Sequence, residues 1–197
     1  LQHMVGLVDI VMGSFSKTFG SNGGFVACNS PAVREYLKYY SAPQTFSNAL
    51  SPIQAAIVLK AFEIIKSAEG RALRAELMNN ITYLRSRLQA ADFEVIGDPS
   101  AIVPVMMREE GLARFVASRL PELGAVANLV EYPAVAKGSA RFRFQVMAKH
   151  SKANVDDVVA RLRTAYDAAQ AAYQPYSRLI AHPGTCLLYT SPSPRDR

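Results

Sequence analysis

Gly13-Ser14-Phe15-Ser16-Lys17-Thr18-Phe19-Gly20-Ser21-Asn22-Gly23-Gly24 carries the signal that decides the fold of this 197-residue chain. Residues 8–15 are β-branched and apolar and predict a buried strand running into a turn. Lys17 therefore falls just past a strand end, among hydroxyls and glycines. A lysine shielded from water there has its charged form disfavoured, and its free amine can attack an aldehyde. The hydroxyls of Ser14 and Ser16, with the backbone amides of the glycine-containing loop, offer donors to a phosphate. On spacing alone the segment also reads as an exposed lysine in a Gly/Ser loop.

Downstream, residues 23–28 predict a second strand. Asn29-Ser30-Pro31 has the look of a helix cap with proline at the first helical position, opening a helix to about Tyr40. Residues 41–52 are rich in turn formers and predict an ordered loop. From Pro52 onward apolar residues recur at three- and four-residue spacing over 53–65 and 70–91, with a break at 67–70, so two connecting helices are expected. After Asp92 short strands are expected at 93–96, 102–107, 126–131 and 141–147, interleaved with helices at 110–123 and 154–172. Such alternation of elements defines an α/β class. Within Arg141-Phe142-Arg143-Phe144-Gln145-Val146, period-two alternation puts Arg141, Arg143 and Gln145 on one face and the apolar residues on the other.

Half the residues are apolar and 19% are charged, the balance of a globular chain that buries a core. The formal charge of +6 comes from cations scattered along helical stretches, such as Arg71, Arg74, Arg85 and Arg87, which read as solvated helix faces. No basic run with interleaved aromatics is present, so a nucleic-acid partner is not expected. Cys28 and Cys186 are the only cysteines, giving neither a disulfide framework nor a metal site; a reducing, cytoplasmic compartment fits. The apolar run 55–59 is cut by Lys60, far short of the ~18 residues of a membrane span.

Three landmarks in order resemble the α-oxoamine synthase family, pyridoxal-phosphate enzymes of the aspartate-aminotransferase fold within the class I/II aminotransferase superfamily. Gly13 to Gly20, followed by Gly23-Gly24-Phe25-Val26, is similar to the family's cofactor-lysine segment. On that resemblance Lys17 is the lysine that holds pyridoxal 5'-phosphate as a Schiff base, and Ser14 is the hydroxyl residue that contacts the phosphate. Phe46-Ser47-Asn48-Ala49-Leu50-Ser51-Pro52 is similar to the loop whose paired hydroxyl residues reach the phosphate in the other subunit's site. Ser47 keeps one hydroxyl; Asn48 stands where threonine or serine is usual, though its amide nitrogen can still donate. Arg141 to Val146, with Ala148-Lys149-His150-Ser151 after it, resembles the family's arginine strand and puts Arg143 on the substrate carboxylate, which a guanidinium fork fits bidentately.

The resemblance implies a homodimer with shared active sites that condenses an amino acid with an acyl-CoA thioester and releases carbon dioxide. The cofactor carries the hard step, and Lys17 is its anchor and proton shuttle. It also implies an aspartate against the pyridine nitrogen and a histidine stacked on the ring, both well upstream of the lysine. His3 and Asp9 lie too close to Lys17 to be these residues. The chain, which opens on Leu1-Gln2-His3-Met4, is therefore expected to be a C-terminal half, inactive by itself. Residues 1–52 would close a large cofactor-binding domain with a mostly parallel sheet, 53–91 would be the connecting helices, and 92–172 a small α/β domain. A tail follows at 173–197, of which 186–197 resembles translated sequencing-adapter sequence. An aminotransferase or lyase of the same fold is the alternative activity, and a catalytically silent partner subunit the alternative of another class.

Overall fold

The computed structural model describes residues 6–180, with side chains described as far as Tyr173. The 173–197 tail beyond residue 180, its 186–197 end included, and His3 lie outside the described residues. The chain divides into two compact units between Ala72 and Leu73.

In the first unit β1 (Ile10–Ser14) pairs antiparallel with β2 (Gly24–Cys28), Ile10 opposite Cys28 and Ser14 opposite Gly24. The strand expected to be buried is not: Ile10, Met12 and Val26 are about half exposed or more. Each of these apolar strands has a single hydrogen-bonded neighbour among the described residues, and much of their apolar surface is exposed. Phe15, by contrast, is buried beyond the strand end. Its ring packs edge-on to Phe19 at 5.3 Å and lies 5.6 Å from Phe25, while Phe19 lies 4.7 Å from Phe62. Such aromatic contacts give the lysine turn an apolar floor.

Helix α1 (Pro31–Tyr40) starts as expected: Ser30 Oγ accepts from Val33 N, and Pro31 opens the first turn. The predicted loop at 41–52 contains a short helix, α2 (Ala42–Thr45), because Thr45 and Phe46 find the carbonyls of Ser41 and Ala42. Helix α3 (Pro52–Lys66) opens with a capping box: Ser51 Oγ accepts from Gln54 N while Gln54 Oε1 accepts from Ser51 N. The break expected at 67–70 narrows to Ser67. Its N–H closes α3 onto the carbonyls of Glu63 and Ile64, and its Oγ accepts from Gly70 N to open α4 (Ala68–Ala90). A Cβ on Gly70 would lie 2.2 Å from Ile64 O, so the tight corner admits only glycine.

The second unit wraps one core. Its strands β3 (Ile102–Arg108), β4 (Asn128–Val130) and β5 (Ala140–Gln145) form an antiparallel sheet in the order β3-β5-β4. Helix α5 (Glu110–Glu122) and helix α6 (Lys152–Ile180) complete the α/β arrangement. Val103, Val105, Phe142 and Phe144 point to the same side of the sheet and pack with Leu88, Val116, Leu120 and Leu162. The strand expected at 93–96 reduces to one bridge, Val95 opposite Val105, since Asp92 and Gly97 at φ +60° and +70° turn the chain away on either side. Arg85 and Arg87 are not free solvated cations either. Arg85 donates to the carbonyls of Ile96 and Gly97, and Arg87 Nε reaches Asp156 at 2.7 Å.

Candidate active site

Lys17 occupies a closed turn beyond β1. Phe15 N–H donates to Gly23 O at 2.9 Å, Ser21 N–H to Phe15 O at 2.9 Å, and Gly20 N–H to Lys17 O at 3.0 Å. Gly20 takes a left-handed φ of +59°, and a Cβ on Gly24 would stand 2.4 Å from Gly13 O, so glycine is needed at both places. The amine of Lys17 is exposed and has no partner among the described residues. The turn alone therefore does not provide the shielding from water expected of a nucleophilic lysine. Ser14 and Ser16 lie at the strand end with their hydroxyls 2.8 Å apart, and Ser16 N–H donates to Ser14 Oγ at 3.2 Å. A free primary amine next to paired hydroxyls is a donor set that fits a phosphorylated aldehyde.

Ser47 and Asn48 line a recess of the first unit, with Gly13, Asn22, Gly23, Gly24 and Phe25 along its wall. Neither Ser14 nor Lys17 lines it. Ser47 Oγ donates to Pro43 O, which commits its proton to the backbone and leaves the oxygen as an acceptor. Arg34 and Lys38 of α1 line the same recess and were not singled out by sequence reasoning. Their signal is the four-residue spacing, which puts two cations on one helix face.

In the second unit Arg143 sits in the central strand, opposite Pro104 on β3 and Asn128 on β4. It is exposed, as the alternation requires, between buried Phe142 and Phe144. Its guanidinium makes no hydrogen bond or ion pair among the described residues. Neighbouring arginines differ: Arg141 donates to Ser139 O, Arg114 pairs with Glu131, and Arg108 pairs with Glu94. Arg143 lines a cleft of about 350 Å³ with Gln145, Asn128, His150, Asn154 and Arg161. Arg161 is held in place by Asp157 at 2.8 Å and by Leu123 O. Lys17 thus presents an unengaged amine and Arg143 an unengaged guanidinium, each on a defined backbone.

Ionisable groups outside the cleft serve the frame. Gly138 N–H donates to Glu110, holding its carboxyl below the usual carboxylate range. The Tyr83 hydroxyl donates to both oxygens of Asp156, which raises its pKa above that of free tyrosine.

The chain belongs to the aminotransferase class I and II family, whose model matches residues 2–162. Within that family its relatives are α-oxoamine synthases. It is 35% identical over 154 residues to the 8-amino-7-oxononanoate synthase of Petrotoga mobilis, covering 78% of this chain and 38% of that one. It is 34% identical over 157 residues to the 2-amino-3-ketobutyrate coenzyme A ligase of Escherichia coli, covering 79% and 39%. The fold superposes on a serine palmitoyltransferase from Sphingomonas wittichii with a TM-score of 0.76 at 27% identity, over 85% of this chain and 42% of that structure. The chain therefore spans about two fifths of the length of the relatives it matches. Pyridoxal 5'-phosphate is the cofactor that this family membership carries. Among the described residues no helix is long and apolar enough to cross a membrane.

Proposed function

We propose that this chain supplies the cofactor lysine and the carboxylate-binding arginine of an α-oxoamine synthase, which joins an amino acid to an acyl-CoA thioester and releases carbon dioxide. The observation that carries the proposal is the free Arg143 guanidinium facing a cleft, in a chain whose relatives include a coenzyme A ligase that acts on an amino acid. A carboxylate is the one group every amino-acid substrate offers to such a fork.

On this assignment Lys17 Nζ would hold the cofactor at its aldehyde and would serve as a proton carrier. The Ser14 hydroxyl donates to the phosphate. When bound, the cofactor supplies an electron sink for negative charge at the amino acid's α-carbon. Arg143 holds the carboxylate and so fixes which α-carbon bond stands ready to react. Ser47 and Asn48 act on the phosphate site of a second copy, where the Asn48 amide nitrogen is the available donor. Residues 1–52 then belong to a large domain, 53–91 connect, and 92–172 form a small domain. On this reading the enzyme is a cytoplasmic homodimer.

Release of free coenzyme A thiol tests the assignment. A synthase liberates it only when amino acid and acyl-CoA are both present. An aminotransferase or lyase acts on the amino acid alone, and a silent partner subunit does neither. Either of the last two results removes the proposal.

A further inference from the structure

Asn80 is the single buried polar side chain among the described residues. It lies inside α4, where asparagine is a poor helix former, so its amide must be used by something outside the helix. Nδ2 donates to Met147 O at 3.2 Å, to Ala148 O at 3.0 Å and to His150 O at 2.7 Å. Two hydrogens thus serve three carbonyls of one turn. That turn follows β5 directly and leads into α6, where Ser151 and Asn154 exchange side-chain and backbone bonds. Inside it, Met147 N–H donates to His150 Nδ1 at 3.3 Å and His150 N–H to Met147 O at 3.2 Å. With Nδ1 accepting, Nε2 is the ring nitrogen left to donate. His150 lines the same cleft as Arg143.

We propose that Asn80 is a positioning residue of the carboxylate site: by gathering three carbonyls of the turn it fixes His150 as a second donor, through Nε2–H, beside the Arg143 guanidinium. This rests on the assignment of Arg143 to the amino-acid carboxylate. Arg143 arrives from the strand and His150 from the turn, and only the turn lacks ladder hydrogen bonds of its own. Asn80 supplies the restraint that the sheet cannot.

The test uses the full-length protein with its cofactor, and glycine, L-alanine and L-serine as probes of amino-acid affinity. Asn80→Ala and His150→Ala should each raise the amino-acid dissociation constant about tenfold, the effect of one lost charge-assisted donor. The double variant should be no worse than either alone, because both act through one donor. In the cofactor-free protein, Asn80→Ala should speed amide exchange at Met147 and His150. Tyr83→Phe removes a bond from the same helix to Asp156 and should lower stability without changing amino-acid affinity. If Asn80→Ala does not fold, Asn80→Ser, which keeps one donor, is read by the same criteria. Unchanged affinity in the Asn80 variant, additive losses in the double variant, or an equal loss in Tyr83→Phe overturns the proposal while Arg143 stands. Unchanged affinity in Arg143→Ala overturns both.

Discussion

Glu110 Oε1 accepts the backbone N–H of Gly138 at 2.8 Å, tying the first turn of α5 to the segment that leads into β5. This bond holds the Glu110 carboxyl below its ordinary value of 4.5, with Arg114 and Lys137 adding smaller contributions of the same sign. A group whose folded pKa is depressed stabilises the fold above its unfolded pKa and loses that contribution as pH falls through the folded one. Thermal midpoints measured from pH 6 downward should therefore decline through and below about pH 4.5, and Glu110→Gln should flatten that decline. An unchanged slope in the variant would assign the acid sensitivity to other carboxylates.

Lys17 is expected to carry the cofactor covalently. Borohydride reduction of the loaded protein, followed by peptide mapping, should find the pyridoxyl group on the peptide containing Lys17, and Lys17→Ala should abolish the label. A label on any other lysine would dismantle the assignment.

Arg143→Ala should weaken amino-acid binding by roughly 1.5–3 kcal/mol, at least about tenfold, as expected for a charged bidentate contact. Acyl thioester affinity should hold. Because the side chain is exposed and unpaired, the substitution should leave the melting temperature nearly unchanged.

Phe142 is fully buried in the second unit. Phe142→Ala should destabilise that unit by about 3–5 kcal/mol through lost transfer energy and the cavity left behind. Denaturant unfolding followed by circular dichroism reads the loss, and a value under about 1 kcal/mol would mean that the core around β5 is not packed as described.

The exposed apolar strands β1 and β2 make self-association of this 197-residue chain the expected outcome when it is expressed alone. Light scattering should detect it at micromolar concentration, and Met12→Lys together with Val26→Lys should suppress it. Residues 73–180, which contain their own core, should remain monodisperse under the same conditions.

Local chemistry made much of this legible from sequence. Ser30-Pro31 and Ser51-Pro52 announced helix starts that the cap bonds realise, and the alternation at 141–146 fixed the face of Arg143 before any neighbour was known. Relations that join distant residues were not legible. Asn80 meets carbonyls 67–70 positions away, and nothing in the sequence around it marks an amide that will be buried. Arg85 and Arg87 looked like solvated cations because their partners, Ile96, Gly97 and Asp156, approach only through the tertiary fold. The 93–96 segment has strand-like residues, but left-handed turns at both ends leave it only one bridge. The lysine turn could be located from its residues, whereas the ring that packs on Phe19 within it, Phe62, lies far along the chain.

The placement of Arg143 between Phe142 and Phe144, on a strand flanked by β3 and β4, works as a reading frame. Removing a single residue from β5 would send guanidinium groups into the core and phenyl rings into solvent, so the displacement of Arg143 and the loss of the fold would come together. Removing two would restore the alternation and spare the core. Damage to this strand is thus filtered by parity: an odd change destroys the protein outright, and only an even one can leave a folded molecule whose site is merely altered.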